Sequence, residues 1–168
     1  GSLRDRFWGR IIFPVHTVTG KVVAFGGRVL NSDAKTAKYV NSPESEIYHK
    51  SNELYGIYFA KQSIIKQNKC FLVEGYMDVI SMHQSGIENV VASSGTSLTP
   101  GQIKLLHRFT ENITLLYDGD AAGIKASIRG IDMLLAEGLN IKVLLLPNNE
   151  DPEKKKKKHS SSEFQRYI

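Results

Sequence analysis

The second half of the chain alternates short apolar strands with amphipathic helices, and this alternation limits the possible folds more than any other feature. The predicted strands and helices occupy, in chain order, residues 71–73, 77–84, 89–92, 99–109, 113–117, 121–137 and 142–146. Strands and helices that alternate in this way are typical of a parallel sheet covered by helices on both faces. We therefore predict an α/β fold for residues 68–153.

The first part of the chain has a different pattern. Residues 11–15 and 22–25 flank a Thr-Gly-Lys turn and predict a β-hairpin, which continues past Gly26 and Gly27 with a bulge or a close backbone approach. Residues 39–43 read as extended, and helical spacing from Ser51 to about Gln67 predicts a helix that Ser51 would cap. These elements indicate a smaller α+β subdomain over residues 1–67, with a polar tail after residue 153.

The charge is divided between these two parts. Residues 1–70 carry 11 Lys/Arg and 5 Asp/Glu, whereas residues 71–153 carry 5 Lys/Arg and 11 Asp/Glu. The overall net charge of +5 therefore hides a basic module joined to an acidic one. Such a division suits an enzyme that holds a polyanion with one module and metal ions with the other, although clustering on solvated surfaces explains it equally well.

Acidic residues follow three of the four predicted parallel strands, at the edge where α/β sheets place their active sites. Glu74 follows the first strand, Asp118 and Asp120 follow the third, and a Glu-Asp-Pro-Glu segment at 150–153 follows the fourth. Carboxylates without nearby histidine or cysteine favour Mg²⁺ or Mn²⁺ over zinc. An isolated Asp-Gly-Asp is often only a turn, and Asp151-Pro152 alone could begin a helix.

Several segments in order make the chain resemble the catalytic core of bacterial DnaG-type DNA primases, and the acidic part resembles the TOPRIM fold within it. The segments that carry this resemblance are Arg10–Pro14, Phe25–Leu30, Lys38–Glu44, His49–Lys50, Leu54–Gly56, Glu74–Val79, Ser94–Thr96, Tyr117–Gly123 and Glu150–Pro152. The resemblance implies a TOPRIM-like parallel sheet flanked by helices and preceded by a smaller basic α+β subdomain. It also implies that residues 154–168 begin a truncated C-terminal helical subdomain.

The resemblance assigns roles to individual residues. Glu74, Asp118 and Asp120 would be catalytic, and the metal ligands would include Asp78, Asp151 and Glu153 beside those three. Glu153 stands where the family usually has aspartate. Nucleic acid or nucleotide would be bound by Arg28, Lys38, Tyr39, Asn41 and Lys50. We expect two or more Mg²⁺ or Mn²⁺ ions and no zinc in this fragment, since Cys70 is the only cysteine.

The implied activity is a DNA-directed RNA polymerase reaction, in which a nucleotidyltransferase makes short RNA primers for replication. The expected partners are single-stranded DNA template, RNA primer and ribonucleoside triphosphates, with a replicative helicase and a zinc module acting through regions absent from this fragment. No apolar run approaches the ~20 residues of a membrane span. We expect a monomer in the bacterial cytoplasm, at the nucleoid-associated replication fork.

Two other readings remain open at this point. Another TOPRIM enzyme, topoisomerase-like or nuclease-like, would break DNA rather than synthesise RNA, but a topoisomerase needs a tyrosine nucleophile and no tyrosine here has a recognisable partner domain. A catalytically silent fragment would bind single strands through residues 1–70 with salt-sensitive affinity and no metal dependence. Template-directed incorporation of ribonucleotides separates a primase from both alternatives.

Overall fold

The computed structural model describes residues 5–30, 36–94, 98–118 and 130–146, and these ranges contain the seven strands and three α-helices that follow. The elements are β1 (Arg10–His16), β2 (Val22–Val29), β3 (Tyr39–Asn41), α1 (Ile57–Gln67), β4 (Cys70–Val73), α2 (Tyr76–Gln84), β5 (Val90–Ala92), α3 (Pro100–His107), β6 (Asn112–Asp118) and β7 (Asn140–Leu146). A 3-10 turn covers Lys50–Asn52, and residues 130–136 are helical.

The basic part contains an antiparallel sheet in the order β1-β2-β3. The predicted hairpin is confirmed, and β2 runs through both glycines to Val29. The close approach is also confirmed: a β-carbon at Gly26 would lie 2.5 Å from the ring of Tyr76, and one at Gly27 would lie 2.7 Å from the ring of Phe7. The register shift in this hairpin lies between Val15 and His16 rather than at the glycines.

The acidic part contains a parallel sheet in the order β5-β4-β6-β7. All four residues of β4 are buried, because apolar clusters cover both faces of the strand. Side chains of α1 and α3 pack with Leu72 on one face, and side chains of α2 pack with Phe71 and Val73 on the other. The predicted α/β architecture, with a parallel sheet flanked by helices, is confirmed.

The prediction that Ser51 caps α1 is wrong. The helix begins at Ile57, and its N-cap is Gly56 with a left-handed φ of 87°. Ser51 instead lies in the 3-10 turn, where its carbonyl oxygen accepts a hydrogen bond from the Thr99 hydroxyl at the start of α3. The chain then extends, and Tyr55 pairs with Ala92 at the edge of the parallel sheet before α1 begins. A tertiary contact therefore replaces the local cap.

The predicted helix over residues 121–137 is only partly within the described residues, where 130–136 are helical. Residues 154–168 lie outside them, as does the predicted loop at 150–153. Within the described ranges, no helix has both the length and the apolar character needed to cross a bilayer.

Candidate active site

The three strands that lead into acidic residues are neighbours in the parallel sheet. The order β5-β4-β6-β7 places β4, β6 and β7 side by side, whereas β5 lies at the edge. Leu72 is in register with Leu115, so Glu74 and Asp118 follow these residues at the same edge of the sheet. Asp118 is the last residue of β6 and is in register with Leu146 at the end of β7. The backbone therefore brings the acid-bearing strand ends together.

Glu74 and Asp78 lie on either side of the turn from β4 into α2. Glu74 is exposed directly after the strand, and Gly75 is the N-cap of α2. One carboxylate oxygen of Asp78 accepts a hydrogen bond of 2.9 Å from the Gly75 backbone N–H. This bond satisfies a free amide at the start of the helix. Asp78 thus fixes the turn that follows Glu74.

Four of the predicted acidic ligands have side chains outside the described part of the structure. Asp120, Asp151 and Glu153 lie outside the described residues, and only the backbone of Asp118 is described. Among the described residues, no three His, Cys, Asp or Glu side chains form a group that could hold a metal ion. The six-carboxylate metal cluster therefore stays a prediction.

Two cations flank one aromatic ring on the antiparallel sheet. Arg28 is in register with Tyr39, and its guanidinium carbon lies 5.9 Å from the centre of the Tyr39 ring. The Lys38 ammonium lies at the same distance of 5.9 Å from this ring. Arg10 supports this surface, because its guanidinium donates to the carbonyl oxygens of Gly27 in β2 and of Lys38 directly before β3. Three of the predicted nucleic-acid ligands are therefore adjacent.

Lys50 begins the 3-10 turn and is half-buried. Burial lowers the pKa of its ammonium group, and the carboxylate of Glu44 acts in the opposite direction. The Lys50 backbone N–H donates to a carboxylate oxygen of Glu44 at 2.9 Å, while its carbonyl oxygen accepts from the Gln102 amide at 3.2 Å. These backbone contacts fix the position of Lys50 from both sides.

Tyr76 is the residue at this site that the sequence did not single out. Its hydroxyl donates a 2.7 Å hydrogen bond to the side-chain oxygen of Asn41, and its ring is 3% exposed. Burial raises the pKa of the Tyr76 hydroxyl, and a hydrogen bond with Ser94 lowers it. The unexplained glycine pair of β2 was a possible signal, since a strand that avoids a β-carbon often faces a bulky side chain from elsewhere.

Comparison with known proteins gives the family. Residues 71–155 match the family described as Toprim-like. The chain belongs to the Toprim-like family. Residues 1–61 match the DNA primase catalytic core, N-terminal domain, so both parts of the predicted resemblance to DnaG-type primases are confirmed. The Toprim-like match includes β4, β6 and β7, together with all the acidic residues predicted to bind metal.

Individual primases are similar to this chain over almost its whole length. The DNA primase of Clostridium acetobutylicum is 47% identical over 167 residues, which are 99% of this chain and 28% of the relative. A structure of the Aquifex aeolicus primase, with its zinc-binding and RNA polymerase domains, superposes with a TM-score of 0.93 at 41% identity, covering 99% of this chain and 41% of that one. A DnaG primase catalytic domain bound to single-stranded DNA superposes with a TM-score of 0.87 at 42% identity, covering 97% and 53%. The chain thus spans little more than a quarter of its curated relative.

A Toprim-like domain implies dependence on a divalent metal. The donors that this chain offers at the acidic edge fit such an ion, because they are carboxylates and hard cations such as Mg²⁺ prefer oxygen ligands. Glu74 is exposed at that edge, and Cys70, the only cysteine, is buried in β4 away from it. The chemistry of the donor set therefore agrees with the family.

Proposed function

We propose that this chain is part of the catalytic core of a bacterial DNA primase, which makes short RNA primers on a single-stranded DNA template. The observation that carries the proposal is the order of the parallel strands, which brings the ends of β4, β6 and β7 to one edge. The relatives that match 99% of the chain or more are named DNA primases, and one similar catalytic domain is bound to single-stranded DNA.

The reaction joins the 3′-hydroxyl of the growing primer to the α-phosphorus of a ribonucleoside triphosphate. The new oxygen–phosphorus bond forms as the bond to the β-phosphate breaks, and pyrophosphate leaves. Glu74, exposed at the end of β4, is the proposed acceptor of the hydroxyl proton, directly or through water. Arg28, Lys38 and Lys50 supply positive charge for the phosphates of the template, primer or nucleotide, and the Tyr39 ring offers a surface for base stacking.

The proposal includes divalent metal ions, which carboxylate side chains would bind. Glu74, Asp78, Asp118, Asp120, Asp151 and Glu153 are the residues that would hold two or more Mg²⁺ or Mn²⁺ ions. When bound, such ions would make the attacking hydroxyl more acidic and offset the charge on the departing pyrophosphate. Without cations, the same carboxylates repel a triphosphate, so we expect nucleotide binding and metal binding to depend on each other.

The proposal also covers organisation and partners. We propose that residues 1–67 form the basic subdomain, residues 68–153 the metal-binding subdomain, and residues 154–168 the start of a helical one. The zinc module and the replicative helicase would act through regions outside this chain, which we expect to be a cytoplasmic monomer. Ribonucleoside triphosphates and an RNA primer are the proposed substrates.

Extension of a preannealed RNA primer tests this function, because it bypasses initiation and any module needed for it. We expect this chain to add templated ribonucleotides with Mg²⁺ or Mn²⁺, and to add none in chelator. The Asp118→Asn/Asp120→Asn double variant should abolish extension and Mn²⁺ binding measured by calorimetry, without changing the thermal unfolding midpoint by more than a few degrees.

The matched control is Asp132→Asn, which removes an exposed carboxylate from the helical segment 130–136 and should leave extension unchanged.

Each alternative function predicts a different result in this assay. Cleavage of DNA without ribonucleotide incorporation would identify a nuclease-like or topoisomerase-like Toprim enzyme. Binding of single strands that is the same with and without divalent metal, and without extension, would identify a silent binding fragment.

A further inference from the structure

Segments that are far apart in the sequence converge on the side chain of Tyr76. The ring stacks on Phe13 of β1 at 5.1 Å with an interplanar angle of 4°, and Tyr55 packs edge-on against it at 4.7 Å. The same ring fills the space beside Gly26 of β2, where a β-carbon would lie 2.5 Å away. Tyr76 thus belongs to α2 by sequence but to the apolar cluster of the antiparallel sheet by packing.

The Tyr76 hydroxyl adds directional contacts to this packing. It donates to the Asn41 side-chain oxygen at 2.7 Å, and the buried Ser94 side chain hydrogen-bonds it from the end of β5. Ser94 has a left-handed φ of 60°, which is uncommon for a residue with a side chain. The hydroxyl therefore links β3, α2 and the segment after β5 at one partly buried point.

This point lies between the two surfaces of the proposed site. Asn41 is two residues from Tyr39 on β3, and Tyr76 is two residues from Glu74 at the end of β4. Asn41 is also held through its backbone, since its carbonyl oxygen accepts a 3.1 Å hydrogen bond from Arg6. Its side-chain oxygen accepts from Tyr76, and this hydrogen bond fixes the orientation of the Asn41 amide group.

We propose that the Tyr76–Asn41 hydrogen bond positions the basic surface of the antiparallel sheet relative to the acidic edge of the parallel sheet. Asn41 then serves the reaction as a positioning residue, in place of the nucleic-acid contact predicted from the sequence. This inference rests on the proposed function, because it assumes that both surfaces act on one substrate. A misplaced sheet would still bind DNA but would present the primer end poorly to the acidic edge.

Four single variants and the Tyr76→Phe/Asn41→Leu double variant test the inference by primer extension. Tyr76→Phe keeps the ring and removes the hydroxyl, Asn41→Leu removes the acceptor, and Asn41→Asp keeps an acceptor in the same place. Tyr55→Phe is the matched control, because it removes a hydroxyl from the neighbouring ring, and the structure gives that hydroxyl no side-chain hydrogen bond among the described residues. The readouts are kcat and KM in primer extension, and the affinity for single-stranded DNA.

We expect Tyr76→Phe and Asn41→Leu to lower kcat about fivefold each, the size of one lost hydrogen bond, with DNA affinity within about twofold of the parent chain. The double variant should be no slower than either single variant, because both remove the same bond. Asn41→Asp and Tyr55→Phe should retain most of the activity. If Asn41 contacts DNA instead, Asn41→Leu and Asn41→Asp will weaken DNA affinity, Tyr76→Phe will not, and the effects will multiply in the double variant.

A second readout depends on neither turnover nor metal. A nitroxide on His83→Cys, at an exposed position of α2, broadens backbone amide resonances according to their distance from it. The native Cys70 is buried and burial raises the pKa of its thiol, so the label attaches selectively to residue 83. We expect Tyr76→Phe to change the broadening of the Tyr39 and Asn41 amides, while Tyr55→Phe leaves it unchanged.

The two readouts separate failure of this inference from failure of the proposed function. Unchanged broadening and unchanged kcat in Tyr76→Phe, in a chain that Asp118→Asn inactivates, would overturn the positioning role and leave the primase proposal standing. Absence of extension by the parent chain would count against the function, and the broadening would still decide whether Tyr76 holds the sheet. Should Tyr76→Phe fail to fold, Asn41→Leu gives the same test from the other side of the bond.

Discussion

Position 26 has no room for a side chain, because the ring of Tyr76 occupies the space that a β-carbon would need. The Gly26→Ala variant should lose about 2 kcal/mol of unfolding free energy, since the added methyl group forces a tightly packed ring to move. Chemical denaturation with urea measures this loss. In a Tyr76→Leu background the added cost should fall well below that value, because the ring that the methyl group meets is gone.

Gly138 supplies the control for Gly26. It has a left-handed φ of 78° and open space around its β-carbon position, so Gly138→Ala tests backbone conformation without crowding. Its cost should be about 1 kcal/mol and should not depend on the residue at position 76. Equal losses at Gly26 in the two backgrounds would show that Tyr76 is not what excludes a side chain there.

Tyr48 and Tyr55 belong to the same aromatic group, and burial raises the pKa of each hydroxyl to about 12. Their neutral forms are favoured in the folded chain, so the stability that they contribute is complete below the unfolded value of about 10. That stability should fall as the pH rises from about 10 towards 12. Tyrosinate absorbance should therefore rise in two stages, the second accompanied by unfolding followed by circular dichroism.

The matched variant for this titration is Tyr58→Phe, which removes a tyrosine from the exposed side of α1. It should leave the pH of unfolding unchanged, because its ring lies outside the buried aromatic cluster. Tyr48→Phe should shrink the second stage and move unfolding to higher pH, because one buried hydroxyl no longer has to ionise. A single absorbance stage near pH 10 for all tyrosines would contradict the burial of this group.

At the scale of elements, Gln102 joins α3 to the 3-10 turn that begins at Lys50. Its side-chain oxygen accepts from the Thr99 N–H at 3.2 Å, and its amide nitrogen donates to the carbonyl oxygens of Lys50 and Glu53 at 3.2 and 2.9 Å. Gln102 is fully buried, so these backbone groups have little access to water. One side chain thus caps a helix and fixes a turn 52 residues earlier in the chain.

Gln102→Leu should lower the unfolding free energy by about 2 kcal/mol or more, because the Glu53 carbonyl oxygen and the Thr99 N–H lose their side-chain partner and the Lys50 carbonyl oxygen keeps only the Glu53 N–H. Thermal unfolding gives the size of the loss. Lys104→Gln, at an exposed position of the same helix, should change stability by less than about 0.5 kcal/mol. If the two variants unfold alike, the side chain of Gln102 does not hold the turn in place.

Elements that local signals define were predictable, and those that distant contacts define were not. The start of α3 was predicted at residue 99 and lies at Pro100, and β4 followed from its apolar residues. The start of α1 could not be predicted from local signals, since the Ser51 carbonyl oxygen accepts a hydrogen bond from Thr99, 48 residues away. The neighbouring positions of Arg28 and Tyr39 likewise come from strand register, which no local pattern specifies.

At the scale of the whole molecule, the basic and acidic parts predict how DNA affinity depends on salt. Binding through residues 1–70 should weaken as salt rises, because cations released from DNA phosphates favour association. Lys38→Gln should lower the slope of log affinity against log salt by about one, the value for one phosphate contact. Lys142→Gln, at an exposed position of β7 in the acidic part, is the control and should leave the slope unchanged. Equal effects at the two positions would remove the basic surface from DNA binding.

The acidic edge of the site was more predictable from the sequence than the contacts of its basic surface. Acidic residues after three of the four strands indicated one edge of a sheet, and the strand order agrees with that expectation. The link between Asn41 and Tyr76 was not predictable, because a hydrogen bond between residues 35 positions apart depends on how the two sheets pack. Placement of Asp120, Asp151 and Glu153 stays a prediction, since these residues lie outside the described ranges.

The β1–β2 hairpin is attached to the rest of the molecule at two separate places. Near its base, Gly26 and Phe13 meet the ring of Tyr76. At its tip, Gly20 meets the ring of Tyr58, and the Lys61 ammonium donates to the Val18 carbonyl oxygen at 2.8 Å. About 20 Å of strand separates Gly20 from Gly26. Because the hairpin is held at both places, we expect it to keep one position relative to the parallel sheet when nucleic acid binds.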